Sequence, residues 1–104
     1  MKEKILAIVD DIKAAVTAIY KERFWIDWYG AYDINPRHLV IWVCVQSDHH
    51  KQQLGSNAHL MYQLRQILVN HDYPEPARPF VHIGFESEET VRRESDGNWY
   101  YHFK

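Results

Sequence analysis

The sequence has one cysteine, no long apolar run and no excess of basic residues among its 104 positions. Because Cys44 has no partner, an internal disulfide is excluded, which favours a reducing compartment. No stretch approaches the roughly 18 apolar residues of a membrane span. The apolar run at residues 5–9 is too short for the core of a secretory signal. We therefore expect a cytoplasmic protein without a membrane segment.

The charge balance and the missing motifs exclude several function classes. Twelve Lys and Arg residues stand against 14 Asp and Glu, a formal net charge of −2, whereas a phosphate-backbone binder needs a basic excess. Direct nucleic-acid binding is therefore not expected. The sequence lacks a glycine-rich phosphate loop, a Walker pattern and a G-x-S-x-G motif, so no well-marked enzyme class and no cofactor is predicted. Without paired cysteines or an H-x-x-x-H spacing, His49, His50 and His59 are only a minor alternative as metal ligands.

The length and composition are typical of one globular domain, with 46% hydrophobic and 25% charged residues. We predict a single α+β domain over residues 1–104. Helical spacing of apolar residues predicts an amphipathic helix over residues 2–23. A second helix is predicted to begin near Ser56 and to end by Asp72, before the prolines that follow. Upstream of it, Asp48 is a plausible helix cap.

The remaining segments are rich in strand formers. Residues 24–32 and 39–46 flank turn-forming residues and predict a β-hairpin, whose second strand is apolar on both faces and therefore central. A third strand is predicted over 80–85. Asp96-Gly97 lies between 91–94 and 99–103 and favours a second hairpin. The alternative is a short helix over 88–94, capped by Ser87.

With that hairpin, the element order is α-β-β-α-β-β-β. This order predicts a two-layer α+β sandwich, in which an antiparallel sheet of about five strands carries two helices on one face. Alternation along the strands assigns the side chains to two faces. The face toward the helices is expected to contain Ile26, Trp28, Leu39, Ile41, Val43, Val45, Val81, Ile83, Phe85, Trp99, Tyr101 and Phe103. The other face is expected to be open, because no segment remains to cover it.

The predicted open face is the candidate functional surface. It contains tryptophans and tyrosines, the residue types enriched at binding hot spots, and contiguous apolar patches often mark interaction sites. A neighbouring acidic segment could steer a basic partner. The predicted partner-binding residues are Trp25, Asp27, Tyr29, Trp42, His82, Glu86, Glu88, Glu89, Tyr100 and His102. The alternatives are aromatic packing across the strands alone and a solvated charged segment.

Two histidines on the same predicted face offer a catalytic alternative. His82 and His102 could act as general acid and base on a phosphate ester. The pair resembles the two-histidine phosphoesterases, which place Ser or Thr two residues after each His; here those positions are Gly84 and Lys104. The plainer alternative is that both histidines are structural. Cys44 is a weak nucleophile candidate, because an apolar strand raises the pKa of a thiol.

The general character of the chain resembles the immunity proteins of bacterial toxin–immunity pairs. The features that suggest it are the aromatic segment 24–29, the acidic run 86–89 and the closing segment 97–103. The resemblance implies a non-enzymatic protein-binding module that blocks a nuclease-type toxin domain. Acidic groups would meet the basic surface of the toxin and aromatic residues would anchor the contact. The alternatives are a small hydrolase that uses His82 and His102, and a homodimer that pairs through the open face.

Overall fold

The computed structural model describes residues 1–103, in which a three-stranded sheet lies between helices on both faces. The elements in chain order are α1 (Lys2–Thr17), β1 (Trp25–Tyr29), β2 (Val40–Val45), α2 (Asp48–Gly55), α3 (Ala58–Asn70), β3 (His82–Ser87), α4 (Glu88–Ser95) and α5 (Trp99–His102). Short 3₁₀ helices at Pro36–His38 and Glu75–Phe80 precede β2 and β3. The α+β class is therefore confirmed, whereas the predicted arrangement of five strands and two helices is wrong. Lys104 lies outside the described residues.

The sheet is mixed rather than antiparallel. Its strand order is β1-β2-β3, so the central position of β2 is confirmed. The predicted hairpin is also confirmed, because β1 and β2 pair antiparallel with Asp27 opposite Trp42. In contrast, β3 runs parallel to β2, with Gly84 opposite Trp42. Parallel pairing needs a crossover of a dozen or more residues, and α2 and α3 together form it.

The two strands predicted at the C-terminal end are helices. Ser87 Oγ accepts a hydrogen bond from Thr90 N at 3.1 Å and caps α4, as in the alternative interpretation of residues 88–94. The Asp96-Gly97 pair ends this helix, with φ values of 51° and 81°, and Gly97 N donates to Val91 O at 3.1 Å. Two successive residues with positive φ serve a helix end as well as a hairpin turn. The hairpin prediction is therefore wrong although its turn signal is real.

Two further helix predictions need correction. α1 ends at Thr17, several residues before the predicted end. The polar segment before the second predicted helix forms its own helix, α2, whose cap is Ser47 rather than Asp48: Ser47 Oγ accepts from His50 N at 3.2 Å. Asn57 then caps a separate helix, α3, because its Oδ1 accepts a hydrogen bond from Leu60 N at 3.0 Å.

A single hydrophobic core joins α1 and α3 to one face of the sheet. Full burial of each aliphatic side chain there stabilises the fold by about 1.5–3 kcal/mol. The alternation correctly assigned Leu39, Ile41, Val43, Val45, Val81, Ile83 and Phe85 to this core. Its assignment of Trp99, Tyr101 and Phe103 to the same face is wrong, because these residues belong to the C-terminal helical segment. Among the described residues, no helix is both long and apolar enough to cross a membrane.

Candidate functional site

The sheet face opposite the core is partly covered by α5, so the prediction of a fully open face is wrong, although Asp27, Tyr29 and His82 on this face are exposed. Trp99 contacts Trp25 edge-on, with ring centroids 4.9 Å apart. Phe103 stacks on Trp42 at 4.9 Å with an interplanar angle of 11°. A C-terminal strand would have extended the sheet sideways, whereas this short helix folds back over its face. Cys44 lies on the same face between Trp25 and Glu86 of the neighbouring strands and is fully buried.

The edge of this cover forms a concave site, which we call the aromatic pocket. It has a volume of about 520 Å³ and is lined by Asp27, Tyr29, Trp99, Tyr100 and Phe103. Three of these residues come from the predicted partner-binding set, on β1 and in the C-terminal segment. The sequence interpretation missed Trp99 and Phe103, because it placed them on the buried side of a strand. Strand β1 and helix α5 thus build the pocket together.

The walls of the aromatic pocket are held by contacts within the chain. Trp42 Nε1 donates a hydrogen bond to Tyr29 Oη at 3.0 Å. The rings of Tyr29 and Phe103 lie 6.1 Å apart, and those of Trp99 and Phe103 lie 5.7 Å apart. In contrast, the carboxylate of Asp27 is exposed and has no hydrogen bond or ion pair within residues 1–103. The pocket therefore combines fixed aromatic walls with one available negative charge.

Glu86 is the buried acidic residue of the covered face. Its Oε1 accepts hydrogen bonds from Lys51 Nζ at 2.7 Å and from Ser87 N at 2.9 Å. Its Oε2 lies 2.8 Å from His102 Nε2. Burial alone would raise the pKa of Glu86, but the hydrogen bonds from Lys51, His102 and the Ser87 backbone outweigh burial and lower it. Glu86 thereby joins β3 to α2 and to α5.

His102 has both ring nitrogens occupied. Its Nδ1 lies 3.0 Å from Ser95 Oγ, opposite the bond from Nε2 to Glu86. The Ser95–His102–Glu86 sequence has the connectivity of a serine–histidine–carboxylate triad, but the aromatic pocket is lined by other residues. The side chain of His102 is only 13% exposed. The geometry therefore favours a role for His102 in fastening α5 to the sheet.

His82 occupies a separate place on the same face. Its ring packs on Trp42, with centroids 4.6 Å apart, and its Nε2 lies above Gly84, where an added Cβ would approach to 2.7 Å. Desolvation, followed by the positive charge of Arg65, lowers the pKa of His82. Because His102 is engaged elsewhere, the geometry does not favour the two histidines as an acid–base pair.

The acidic segment is largely paired within the chain. Glu88 Oε1 accepts from Arg23 Nη2 at 3.1 Å, and Glu89 Oε1 accepts from Asp48 N at 2.7 Å. These bonds join the start of α4 to neighbouring elements. Steering of a basic partner by Glu86, Glu88 and Glu89 stays a prediction.

Asp48 is a second polar centre that sequence reasoning considered only as a helix cap. Its carboxylate accepts hydrogen bonds from Ser87 Oγ and Thr90 Oγ1, each at 2.5 Å, and from Arg93 Nη1 at 2.8 Å. Hydrogen bonds from Ser87, Thr90 and Arg93 hold the pKa of Asp48 far below its ordinary range. The ends of the parallel strands β2 and β3 thus meet through one carboxylate.

Of the three histidines considered as metal ligands, His50 has both ring nitrogens close to groups of the chain itself. His50 Nδ1 lies 2.8 Å from Ser47 Oγ, and its Nε2 lies 3.2 Å from Glu22 Oε2. Within residues 1–103, no group of three or more His, Cys, Asp or Glu side chains is placed to hold a metal ion.

Comparison with protein-family models, curated proteins and solved structures finds no match for the chain. The function is therefore argued from the chemistry of these residues alone.

The lowered pKa values of Glu86 and Asp48 predict a loss of stability in acid. Carboxylates with a depressed pKa in the folded state stabilise it above the unfolded-state pKa, near 4, and this contribution is lost as the pH falls toward the folded-state value. Below about pH 4, unfolding should take up on the order of one proton at each carboxylate. We expect the urea midpoint to fall between pH 5 and pH 3 by a larger amount in the wild type than in Glu86→Gln. An equal fall in both proteins would contradict the role of Glu86.

Proposed function

We propose that this chain is a non-enzymatic protein-binding module of the immunity type, which binds and neutralises a toxin domain. The observation that carries the proposal is the aromatic pocket with the exposed tyrosines around it. Tyr100 and Tyr29 line the pocket and are 79% and 37% exposed, and Tyr101, next to Tyr100 in the chain, is 66% exposed. Large aromatic side chains at a concave, partly polar surface are typical of binding hot spots.

The contacts of the histidines also favour binding over catalysis. A general acid or base must reach the proton of a substrate, but both ring nitrogens of His102 bond to groups of the chain itself. The buried thiol of Cys44 has its pKa raised to about 12, as the sequence predicts, so little nucleophilic thiolate forms near neutral pH. The groups that line the aromatic pocket are therefore aromatic and acidic, and the exposed ring of His82 packs on Trp42 outside the pocket.

The first test of this proposal is affinity capture with the full chain as bait, from the cells that encode it, at low and at high salt. Wild type and the control Tyr62→Ala should retain one stoichiometric partner, because Tyr62 is a 65% exposed tyrosine on α3, away from the pocket. Tyr100→Ala should reduce the affinity by about 30-fold, equivalent to the roughly 2 kcal/mol of a hot-spot tyrosine. Equal capture by both variants would contradict the assigned surface.

A second arm tests the immunity activity itself. Expression of the captured partner should arrest growth, and co-expression of the wild-type chain should relieve the arrest, while Tyr100→Ala relieves it less. A partner without toxicity would overturn the immunity assignment. Absence of any partner at either salt would overturn the binding proposal, and recovery of a second copy of the chain would favour the homodimer.

A further inference from the structure

We propose that the aromatic pocket binds the guanidinium group of an arginine side chain. That this arginine belongs to a partner protein rests on the proposed function; the affinity of the pocket for a guanidinium does not. The charge of the pocket is the first reason. Asp27 is exposed, has no ion-pair partner within the described residues and lines the pocket. A cation entering there gains a charge-assisted hydrogen bond.

The aromatic walls are the second reason. The faces of Trp, Tyr and Phe rings attract cations within about 6 Å of the ring centroid, and arginine is the cation most often found there. Tyr29, Trp99, Tyr100 and Phe103 line the same pocket as Asp27. Its volume of about 520 Å³ lies within the roughly 300–1,000 Å³ of typical ligand sites. An apolar occupant would instead desolvate Asp27 without compensation.

The fixed geometry of the walls is the third reason. Tyr29 is held by the hydrogen bond from Trp42 Nε1, and Phe103 is stacked on the same indole. Trp99 is packed against Trp25. Rings that are already ordered lose little conformational entropy when a ligand binds. A planar group that stacks on a ring and also offers two parallel N–H donors to a carboxylate fits this site better than the point charge of an ammonium group.

The test uses N-acetyl-arginine methylamide as the probe, with the citrulline analogue as a neutral control of the same shape. Binding is followed by NMR on the full chain, from the Trp99 indole N–H and the Tyr29 amide. We expect saturable shifts with a dissociation constant in the millimolar range, and binding at least about tenfold weaker for the citrulline analogue. The lysine analogue should also bind at least about threefold more weakly than arginine.

Matched charge variants locate the interaction. Asp27→Asn should weaken binding of the arginine probe at least about tenfold. Asp33→Asn removes the same charge from an exposed position outside the pocket and should leave binding unchanged. Equal binding of arginine and citrulline to the wild type would overturn the proposal without reliance on any variant. Equal effects of the two Asp→Asn changes, or no shifts up to roughly 50 mM probe, would overturn it as well.

These outcomes are separate from those of the capture experiment. If the probe binds at the pocket but no partner is captured, the guanidinium site stands and the protein-binding function fails. If a partner is captured through Tyr100 but the probe does not bind, the function stands and the arginine assignment fails.

Discussion

Replacing Gly30 with alanine is expected to destabilise the protein by more than about 4 kcal/mol, a large part of the roughly 5–15 kcal/mol typical of a domain. Gly30 follows β1 and has φ of 117°, a conformation that side chains rarely adopt. An added Cβ would lie 2.0 Å from His38 O. Because that atom belongs to the backbone, no side-chain rotation relieves the clash. Urea denaturation followed by circular dichroism should give a strongly lowered midpoint or an unfolded protein.

Gly97→Ala is the matched control for the backbone conformation alone. Gly97 also has a positive φ, of 81°, but an added Cβ there meets nothing within 4 Å. The expected cost is about 1–2 kcal/mol from the conformational preference. Similar costs at the two glycines would mean that the loop between β1 and β2 adjusts to the new methyl group, and would contradict the clash.

Side-chain alternation was the most informative feature of the sequence for the site. Trp25, Asp27 and Tyr29 on β1 share one face with Trp42 and Glu86, as the two-residue period requires. The period is a local geometric property of a strand, so no knowledge of the rest of the fold is needed. It was enough to find the sheet part of the candidate surface.

Helix α5, which packs on this face, could not be predicted in the same way. Trp99, Tyr100 and Tyr101 have side chains typical of strands, yet together with His102 they form a four-residue helix. The local signal for a helix is Asn98, whose Oδ1 accepts from Tyr101 N at 2.9 Å. Packing of Trp99 on Trp25 and the contact of His102 with Glu86 hold this helix on the sheet. The contact between the two tryptophans, which lie 74 positions apart, leaves no periodic pattern in the sequence.

The burial of Glu86 could not be predicted from the sequence for a related reason. Glu86 has the sequence context of an exposed acidic run, but it is 7% exposed. Its burial is tolerated because Lys51 and His102, which lie 35 and 16 positions away, supply the compensating hydrogen bonds. Neither partner can be identified from the sequence, because only the fold brings β3 next to α2 and α5. Charge runs in a sequence therefore indicate solvent exposure only when no distant partner reaches them.

Glu86→Ala is expected to cost about 2–4 kcal/mol and to loosen α5. The change removes a buried hydrogen-bond acceptor, so Ser87 N and the ring of His102 lose their partner in a site with little water. The control Glu88→Ala removes a carboxylate paired with Arg23, whose side chain is 71% exposed, and should cost less than about 1 kcal/mol. Urea denaturation at pH 7 measures both effects.

The thiol of Cys44 offers a second readout of α5, provided that its rate is compared with the global unfolding measured for the same variant. Burial, followed by the negative charges of Asp27 and Glu86, raises its pKa to about 12, so it should react slowly with a thiol reagent at pH 8 in the wild type. When α5 opens more often, the sulfur becomes accessible. Because loss of the Glu86 charge also lowers the pKa of the thiol, the rate is compared per thiolate, from its pH dependence in each protein. On that basis we expect Glu86→Ala to react at least about tenfold faster, the factor for 1.4 kcal/mol of easier opening. Glu88→Ala should react at the wild-type rate. If Glu86→Ala lost stability while Cys44 stayed as slow as in the wild type, the carboxylate would stabilise the junction with α2 rather than the cover. In that case the walls of the aromatic pocket would depend on ring packing and on the hydrogen bond from Trp42 Nε1 to Tyr29.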